Sequence, residues 1–246
     1  MKSLPPNSAP SHPTRRQTLG VAGGAIAAFW SARARAQTTV DLQLALAVDA
    51  SGSVDQRRFD LQKQGYVAAF QNPRVQAAIQ SGANRSIAVT MFQWTGPRLQ
   101  FEVIPWMVVH DEASALAVSK AIDAVPRRIF GGGTSISGAI DFGVTRFARG
   151  EIDGERKVID ISGDGSNNTG RPVSRARDEA VSLGFVINGL PILSIEPWLE
   201  DHYRNEVIGG PGAFLVSAQD FESFGDAIVK KLIAEIANLS PDAVRG

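Results

Sequence analysis

Hydrophobic and polar positions change rhythm in blocks along this chain, and the blocks predict an alternation of strands and helices. Residues 41–48 form a short apolar run that stops at Asp49, the pattern of a buried strand. Residues 54–80 read as helix, with Phe59, Tyr66 and Phe70 spaced seven and four apart and a break expected at Pro73. Residues 86–94 and 101–109 read as strands joined by the turn Thr95-Gly96-Pro97, too short a connection for anything but an antiparallel pair at the sheet edge. Helices are expected at 111–125 and 135–149, a central strand at 157–161, a helix at 171–183 and a strand at 185–193. A helix at 197–207 and a short strand at 213–216 follow. The closing helix carries Phe221, Phe224, Ile228, Leu232 and Ile236 as one apolar stripe. The predicted fold class is therefore α/β: a doubly wound, mostly parallel central sheet with helices on both faces and one antiparallel edge strand.

Residues 1–36 break this pattern. They hold five basic groups (Lys2, Arg15, Arg16, Arg33, Arg35) and no acid, followed after Arg16 by a 12-residue mildly apolar run from Leu19 to Trp30. A bilayer span needs about 20 apolar residues, so the run is too short to cross. Ala34 and Ala36 supply the small side chains of a cleavage site after Ala36. The segment resembles a twin-arginine export signal, although Thr18 and Gly20 stand where that signal usually has Phe and Lys, so the general export route stays open. The expectation is a cleaved signal peptide at 1–36 and a single domain at 37–246, located in the periplasm or secreted, with no transmembrane segment in the mature chain.

Removing the leader changes the charge picture. The whole chain balances 25 basic against 25 acidic residues, but the part after residue 36 has 20 against 25 and is net −5. A basic nucleic-acid footprint is absent. The chain has no cysteine, which excludes disulfides, thiolate metal sites and cysteine nucleophiles.

Open α/β sheets bind ligands at the carboxyl ends of their strands. Three polar clusters fall at such positions. Asp49, Ser51 and Ser53 alternate after the first strand, so their side chains can converge as hard oxygen ligands suited to Mg²⁺, Mn²⁺ or Ca²⁺. Ser53 with Gln56 also fits a helix-capping box. Thr134 follows three glycines at a helix start, where an N-cap is the commoner role. Asp164 stands between two glycines after the central strand, a position often occupied by a simple turn.

Taken together, D-x-S-x-S after the first strand, G-G-T-x-x-x-x-A-I before a helix and G-D-G after the central strand resemble the von Willebrand factor A (vWA) domain, over residues 40–238 and in motif order. More narrowly, the chain resembles an exported bacterial family of vWA-like proteins. The resemblance implies a metal-ion-dependent adhesion site (MIDAS). In it Ser51 and Ser53 would be direct ligands, while Asp49, Thr134 and Asp164 would act directly or through water. It also implies an Mg²⁺ (or Mn²⁺/Ca²⁺) ion with a vacant position, and a protein or peptide partner that fills it with an Asp or Glu carboxylate. Asn167, Asn168, Glu196 and Trp198 would lie on the rim of that site; for Trp198, partial burial in packing is the commoner fate of so large a ring.

No catalytic motif emerges. His110 and His202 lie outside every cluster and read as surface residues, and no nucleophile elbow or nucleotide-binding glycine loop occurs. The enzymatic alternative is an Mg²⁺-dependent phosphatase with an aspartyl nucleophile, which would want a second Asp where Ser51 stands. A further alternative is a secreted structural domain whose metal site is vestigial. The expectation is a binding module, not an enzyme.

Overall fold

The computed structural model describes residues 37–149 and 151–244; the predicted signal peptide lies outside the described residues. Five strands form one sheet: β1 (Thr38–Asp49), β2 (Ile87–Trp94), β3 (Gln100–Val109), β4 (Ile152–Gly163) and β5 (Val186–Pro191), in the order β3-β2-β1-β4-β5. β1 pairs in parallel with both β2 and β4, β4 pairs in parallel with β5, and β3 is antiparallel to β2 at the edge. The chain leaves β1 toward β2 and later returns to β1's other side as β4. The switch point of the sheet therefore lies between the tips of β1 and β4, where a crevice opens for ligands.

The helices are α1 (Gln56–Gln71), α2 (Pro73–Gln80), α3 (Glu112–Asp123), α4 (Ile136–Arg146), α5 (Val173–Ser182), a single turn α6 (Leu199–His202) and α7 (Phe224–Ile236). β1 sorts its side chains by the two-residue period of a strand: Leu42, Leu44, Leu46 and Val48 face one core with Phe59, Tyr66, Phe70, Val118, Ile122, Phe224, Ile228 and Leu232. Ala45 and Ala47 face the other, with Ile140, Ile159, Ile161, Ala176 and Tyr203. Helices thus cover both faces, and a strand sealed on both sides reads as the continuous apolar run seen in the sequence.

The break at Pro73 is present. Asn72 accepts from the Arg74 amide at 2.9 Å and caps α2, with Pro73 at its first position, where a missing N–H costs nothing. Three expectations are corrected. Residues 213–216 do not form a strand but touch β5 through one isolated bridge, Leu215 to Gly189, with glycines at φ +98° (Gly210) and +72° (Gly212) interrupting the extended backbone before them. Residues 197–207 are not one α-helix: α6 passes into a π-helical turn at Tyr203–Val207. Phe221 is buried in the turn before α7 rather than in the helix.

Candidate metal centre

The tips of β1 and β4 carry the two aspartates. Val48 pairs with Ser162, so Asp49 ends β1 beside Gly163, and Asp164 follows directly. Gly163 is a matter of space: a Cβ there would come within 2.8 Å of Asp49 Oδ2 and 3.2 Å of the Tyr203 hydroxyl. Both aspartates are completely buried, as are Ser51 and Thr134 to within a few per cent, while Ser53 is half-buried.

The β1–α1 loop and the loop after β4 are hydrogen-bonded to each other. The Ser51 amide donates to Asp49 Oδ1 at 2.7 Å, and the Asp164 amide approaches Asp49 Oδ2 at 3.4 Å. The Ser51 and Ser53 hydroxyls are 3.2 Å apart, and Ser53 donates to Asp164 Oδ1 at 2.5 Å. Thr134 enters from the loop before α4, its Oγ1 lying 3.4 Å from the point a Gly165 Cβ would occupy. All five residues are therefore gathered around one rim.

The local roles that competed for two of them are taken by neighbours. Asp55, not Ser53, caps α1, accepting from the Arg58 amide at 2.8 Å. Ser135, not Thr134, caps α4, accepting from the Gly138 amide at 3.1 Å. The capping box expected at Ser53 is absent, because the helix begins two residues later than that box requires.

Two carboxylates in so dry a place repel charge. Burial first, and then the charge of Asp164, push the Asp49 carboxyl up to about 7. Burial also raises Asp164, against the Ser53 hydrogen bond and the Arg58 guanidinium, which lies 3.6 Å from Oδ2. Asp164 Oδ2 has no hydrogen-bond partner among the described residues. A hard dication fits this set: it supplies the missing counter-charge, and two carboxylates with three hydroxyls are oxygen donors of the kind Mg²⁺, Mn²⁺ and Ca²⁺ take. Among the described residues no group of three His, Cys, Asp or Glu forms a metal cluster, so a cation here would depend on the hydroxyls.

The rim residues divide by role. Asn168 Oδ1 accepts from the Thr134 amide at 2.9 Å and Asn167 Oδ1 from the Ser137 amide at 3.0 Å, so both side chains brace the loop that presents Thr134. Glu196 Oε2 accepts from the Ser166 amide at 3.1 Å. Trp198 is 62% exposed, which corrects the packing role expected for it: α6 begins beside it and buries Leu199 instead.

Several neighbours were invisible in the sequence. Arg58 donates to the Ser53 carbonyl at 2.7 Å, and Arg127 to the carbonyls of Ala50 and Ser51 at 3.0 and 3.2 Å, clamping the D-x-S-x-S loop. His202 accepts from the Asn167 amide through Nε2 at 3.3 Å; it is mostly buried at the site's margin, not exposed like His110. The buried Tyr203 hydroxyl faces the same corner without a hydrogen-bond partner among the described residues. Arg58 alone carried a local signal, one turn into the helix after Ser53.

The fold recurs in proteins of known structure. In proximal thread matrix protein 1 from the mussel byssus, in a form with a zinc-occupied MIDAS motif, the TM-score is 0.56 at 15% identity over 82% of this chain and 49% of that one. A von Willebrand factor type A protein from Catenulispora acidiphila gives 0.52 at 16% identity, over 81% and 42%. The pilus adhesin SpaC from Lactobacillus rhamnosus GG gives 0.56 at 12%, over 81% and 31%. The chain spans about half or less of the length of these proteins, and at such identities the likeness establishes the vWA fold. No curated protein sequence matches. A family model described as "Protein of unknown function (DUF1194)" matches residues 39–240. The chain has the vWA fold and belongs to the DUF1194 family.

Proposed function

We propose that Asp49, Ser51, Ser53, Thr134 and Asp164 hold a divalent cation, Mg²⁺ or a similar hard ion, and that the domain recognises an acidic group of a protein partner through it. One observation carries the reading: two buried, mutually repelling carboxylates meet at a sheet switch point, where Asp164 Oδ2 has no hydrogen-bond partner among the described residues and the Arg58 guanidinium at 3.6 Å is the cation beside it. Burying two carboxylates against a single guanidinium leaves one negative charge unbalanced, so the arrangement makes sense as half of an ion complex. The zinc-occupied MIDAS of the mussel protein and the adhesin role of the Lactobacillus pilus protein support the analogy.

When bound, the cation would supply an electrophilic position for an incoming carboxylate. The chain's own residues do the rest. Arg127 and Arg58 hold the loop carbonyls in place, and Asn167 and Asn168 fix the Thr134 loop. The phosphatase alternative lacks its second aspartate, because Ser51 occupies that position and hydrogen-bonds within the cluster. We further propose that residues 1–36 direct export, so that recognition takes place in the periplasm or outside the cell.

The test is calorimetric titration of Mg²⁺ and Mn²⁺ into the wild-type protein and Asp49→Ala, with circular dichroism as the folding control. Loss of binding with unchanged helix content is expected; equal affinity in the two proteins overturns the assignment. Capture from envelope extract with Mg²⁺, with EDTA and with Asp49→Ala then tests the partner. A protein retained only in the first condition is expected, and retention in all three argues for a structural domain.

A further inference from the structure

A basic and aromatic patch lies beside the D-x-S-x-S loop, outside the residues assigned to the cation. Two segments build it: the β2–β3 turn with the first residues of β3, and the loop from Val125 to Gly131 after α3. They are bonded side by side. Gln93 on β2 accepts from the Arg128 amide at 2.7 Å and donates to the Pro126 carbonyl at 2.8 Å, and its partner across the hairpin is Phe101. Further along, the Thr95 hydroxyl donates to the Gly131 carbonyl at 2.8 Å. Three large apolar side chains stand in solvent here: Phe130 is 69% exposed, Leu99 53% and Phe101 48%. One exposed apolar residue is ordinary on a protein surface, but three on two joined segments make a patch. Arginines lie over both rings. Arg127 Cζ is 5.0 Å from the centre of the Phe130 ring, and Arg128 Cζ is 5.5 Å from that of Phe101. Arg98 is exposed next to Leu99 in the turn.

Charge identifies what covers this patch. Among the described residues no salt bridge joins Arg98, Arg127 or Arg128 to an acid. Glu102, beside Phe101 but on the opposite face of β3, is paired with Arg146 at 3.1 Å. Arg127 donates to the carbonyls of Ala50, Ser51 and Ile129, which orient it but carry no net charge. The chain after residue 36 is net −5, so three uncompensated guanidinium groups in one place run against its general charge. We infer that the patch binds an acidic segment of a partner protein, one in which carboxylates alternate with apolar side chains. The carboxylates pair with the planar forks of Arg98 and Arg128. The apolar side chains cover Leu99, Phe101 and Phe130. Arginines and exposed aromatic rings are the usual anchors of protein interfaces, and here each ring already holds its arginine. A nucleic acid or an anionic bilayer offers the same sign of charge, but a domain of net negative charge repels an extended polyanion, whereas a short acidic segment needs only the local field. The patch requires no cation, so this inference stands apart from the cation-binding reading. The Gly52 amide donates to the Gly132 carbonyl at 3.3 Å, which sets the patch against the β1–α1 loop and lets one partner span both.

The probe is a short peptide of alternating Glu and Leu, titrated in EDTA into nitrogen-15-labelled protein and followed by amide chemical shifts, which register even millimolar binding. The expected result is movement of the Leu99, Phe101, Arg128 and Phe130 amides, with affinity falling as salt screens the charges. Arg128→Gln and Phe130→Ser should each weaken binding about tenfold, and Arg128→Lys, which keeps the charge without the planar fork, should fall between wild type and Arg128→Gln. Both side chains are exposed, so circular dichroism should show an unchanged fold; Arg127 is left in place because it also clamps the D-x-S-x-S loop. Leu183→Ser, at an exposed apolar residue at the end of α5, should bind as wild type does. The inference is overturned if none of these amides moves at millimolar peptide, or if Arg128→Gln and Phe130→Ser bind as tightly as wild type. It is overturned equally if a peptide with Gln in place of every Glu binds as well. Tighter binding of a single-stranded oligonucleotide or of phosphatidylglycerol vesicles at the same amides would make the patch a polyanion surface and overturn it too.

Discussion

The Ser53 hydroxyl donates a 2.5 Å hydrogen bond to Asp164 Oδ1, joining two loops 111 residues apart. It is the contact by which the β1–α1 loop and the β4 loop share a single acid. Replacing Ser53 with alanine should therefore do two separable things. Losing a hydrogen bond to a charged group should lower stability by about 1–3 kcal/mol, read by urea denaturation. Losing a hydroxyl ligand should also weaken Mn²⁺ binding. A variant with unchanged Mn²⁺ affinity would restrict Ser53 to holding the loops together.

The same relationship shows what could and could not be read from the chain alone. Asp49 was legible because a carboxylate at the end of an apolar strand has no ordinary structural use. Ser53, Thr134 and Asp164 each had a local explanation as cap or turn, and the structure gives the caps instead to Asp55 and Ser135, each bonded to the amide three residues on. Tyr203, Arg127 and His202 reach the site from distant elements and leave no local pattern. Strand and helix order followed the hydrophobic period closely for the sealed elements of the core. It failed at 197–207 and 213–216, where glycines and half-buried residues weaken the period and contacts to β5 decide the backbone.

Acidity should act on the metal-free and metal-loaded protein in opposite directions. The folded-state Asp49 carboxyl is raised to about 7, above its unfolded value, so its protonated form is favoured by folding. That stabilisation is complete below the unfolded value near 4 and is lost as pH rises toward 7. Metal-free protein should accordingly melt at lower temperature at pH 7.5 than at pH 5.5 as far as this group decides it. Cation binding needs the ionised form, so Mn²⁺ affinity should rise over the same interval, with proton release below pH 7. Calorimetry in buffers of different ionisation enthalpy measures that release. A pH-independent affinity would show that Asp49 is already ionised before the cation arrives.

Thr95 offers a test of how the third loop is held. Its hydroxyl lies 2.8 Å from the Gly131 carbonyl and 2.9 Å from that of Gly133, sharing one proton between them, while its own carbonyl accepts from the Ser135 amide at 2.8 Å. Gly132 between them has φ +97°, and a Cβ there would meet the Thr95 hydroxyl at 2.8 Å. Thr95→Val leaves two carbonyls without their donor inside a crowded turn. The expected cost is about 1–3 kcal/mol of stability. A several-fold loss of Mn²⁺ affinity should accompany it through a misplaced Thr134. Unchanged Mn²⁺ binding in a destabilised protein would mean that Asn168 alone suffices to position that residue.

Away from the rim, α7 is tied to the sheet by charge. Lys231 is fully buried, 2.7 Å from Asp160 Oδ1 on β4 and 2.8 Å from Glu235 Oε2, while Asn188 of β5 donates to Glu235 Oε1 at 2.9 Å. Burial alone would lower the lysine, but Asp160 and Glu235 outweigh it and hold the ammonium charged. Burial raises the Asp160 carboxyl despite that ammonium. Removing the lysine leaves two carboxylates in a dry core. Lys231→Met should then cost about 3–5 kcal/mol, more at pH 8 than at pH 6, because burial raises the Asp160 carboxyl and at the lower pH it can take up a proton. Adding Asp160→Asn and Glu235→Gln to Lys231→Met removes the stranded charges and should return part of the loss, most visibly at pH 8. Equal destabilisation of the single and triple variants at both pH values would mean that lost packing against α7, rather than uncompensated charge, dominates the effect.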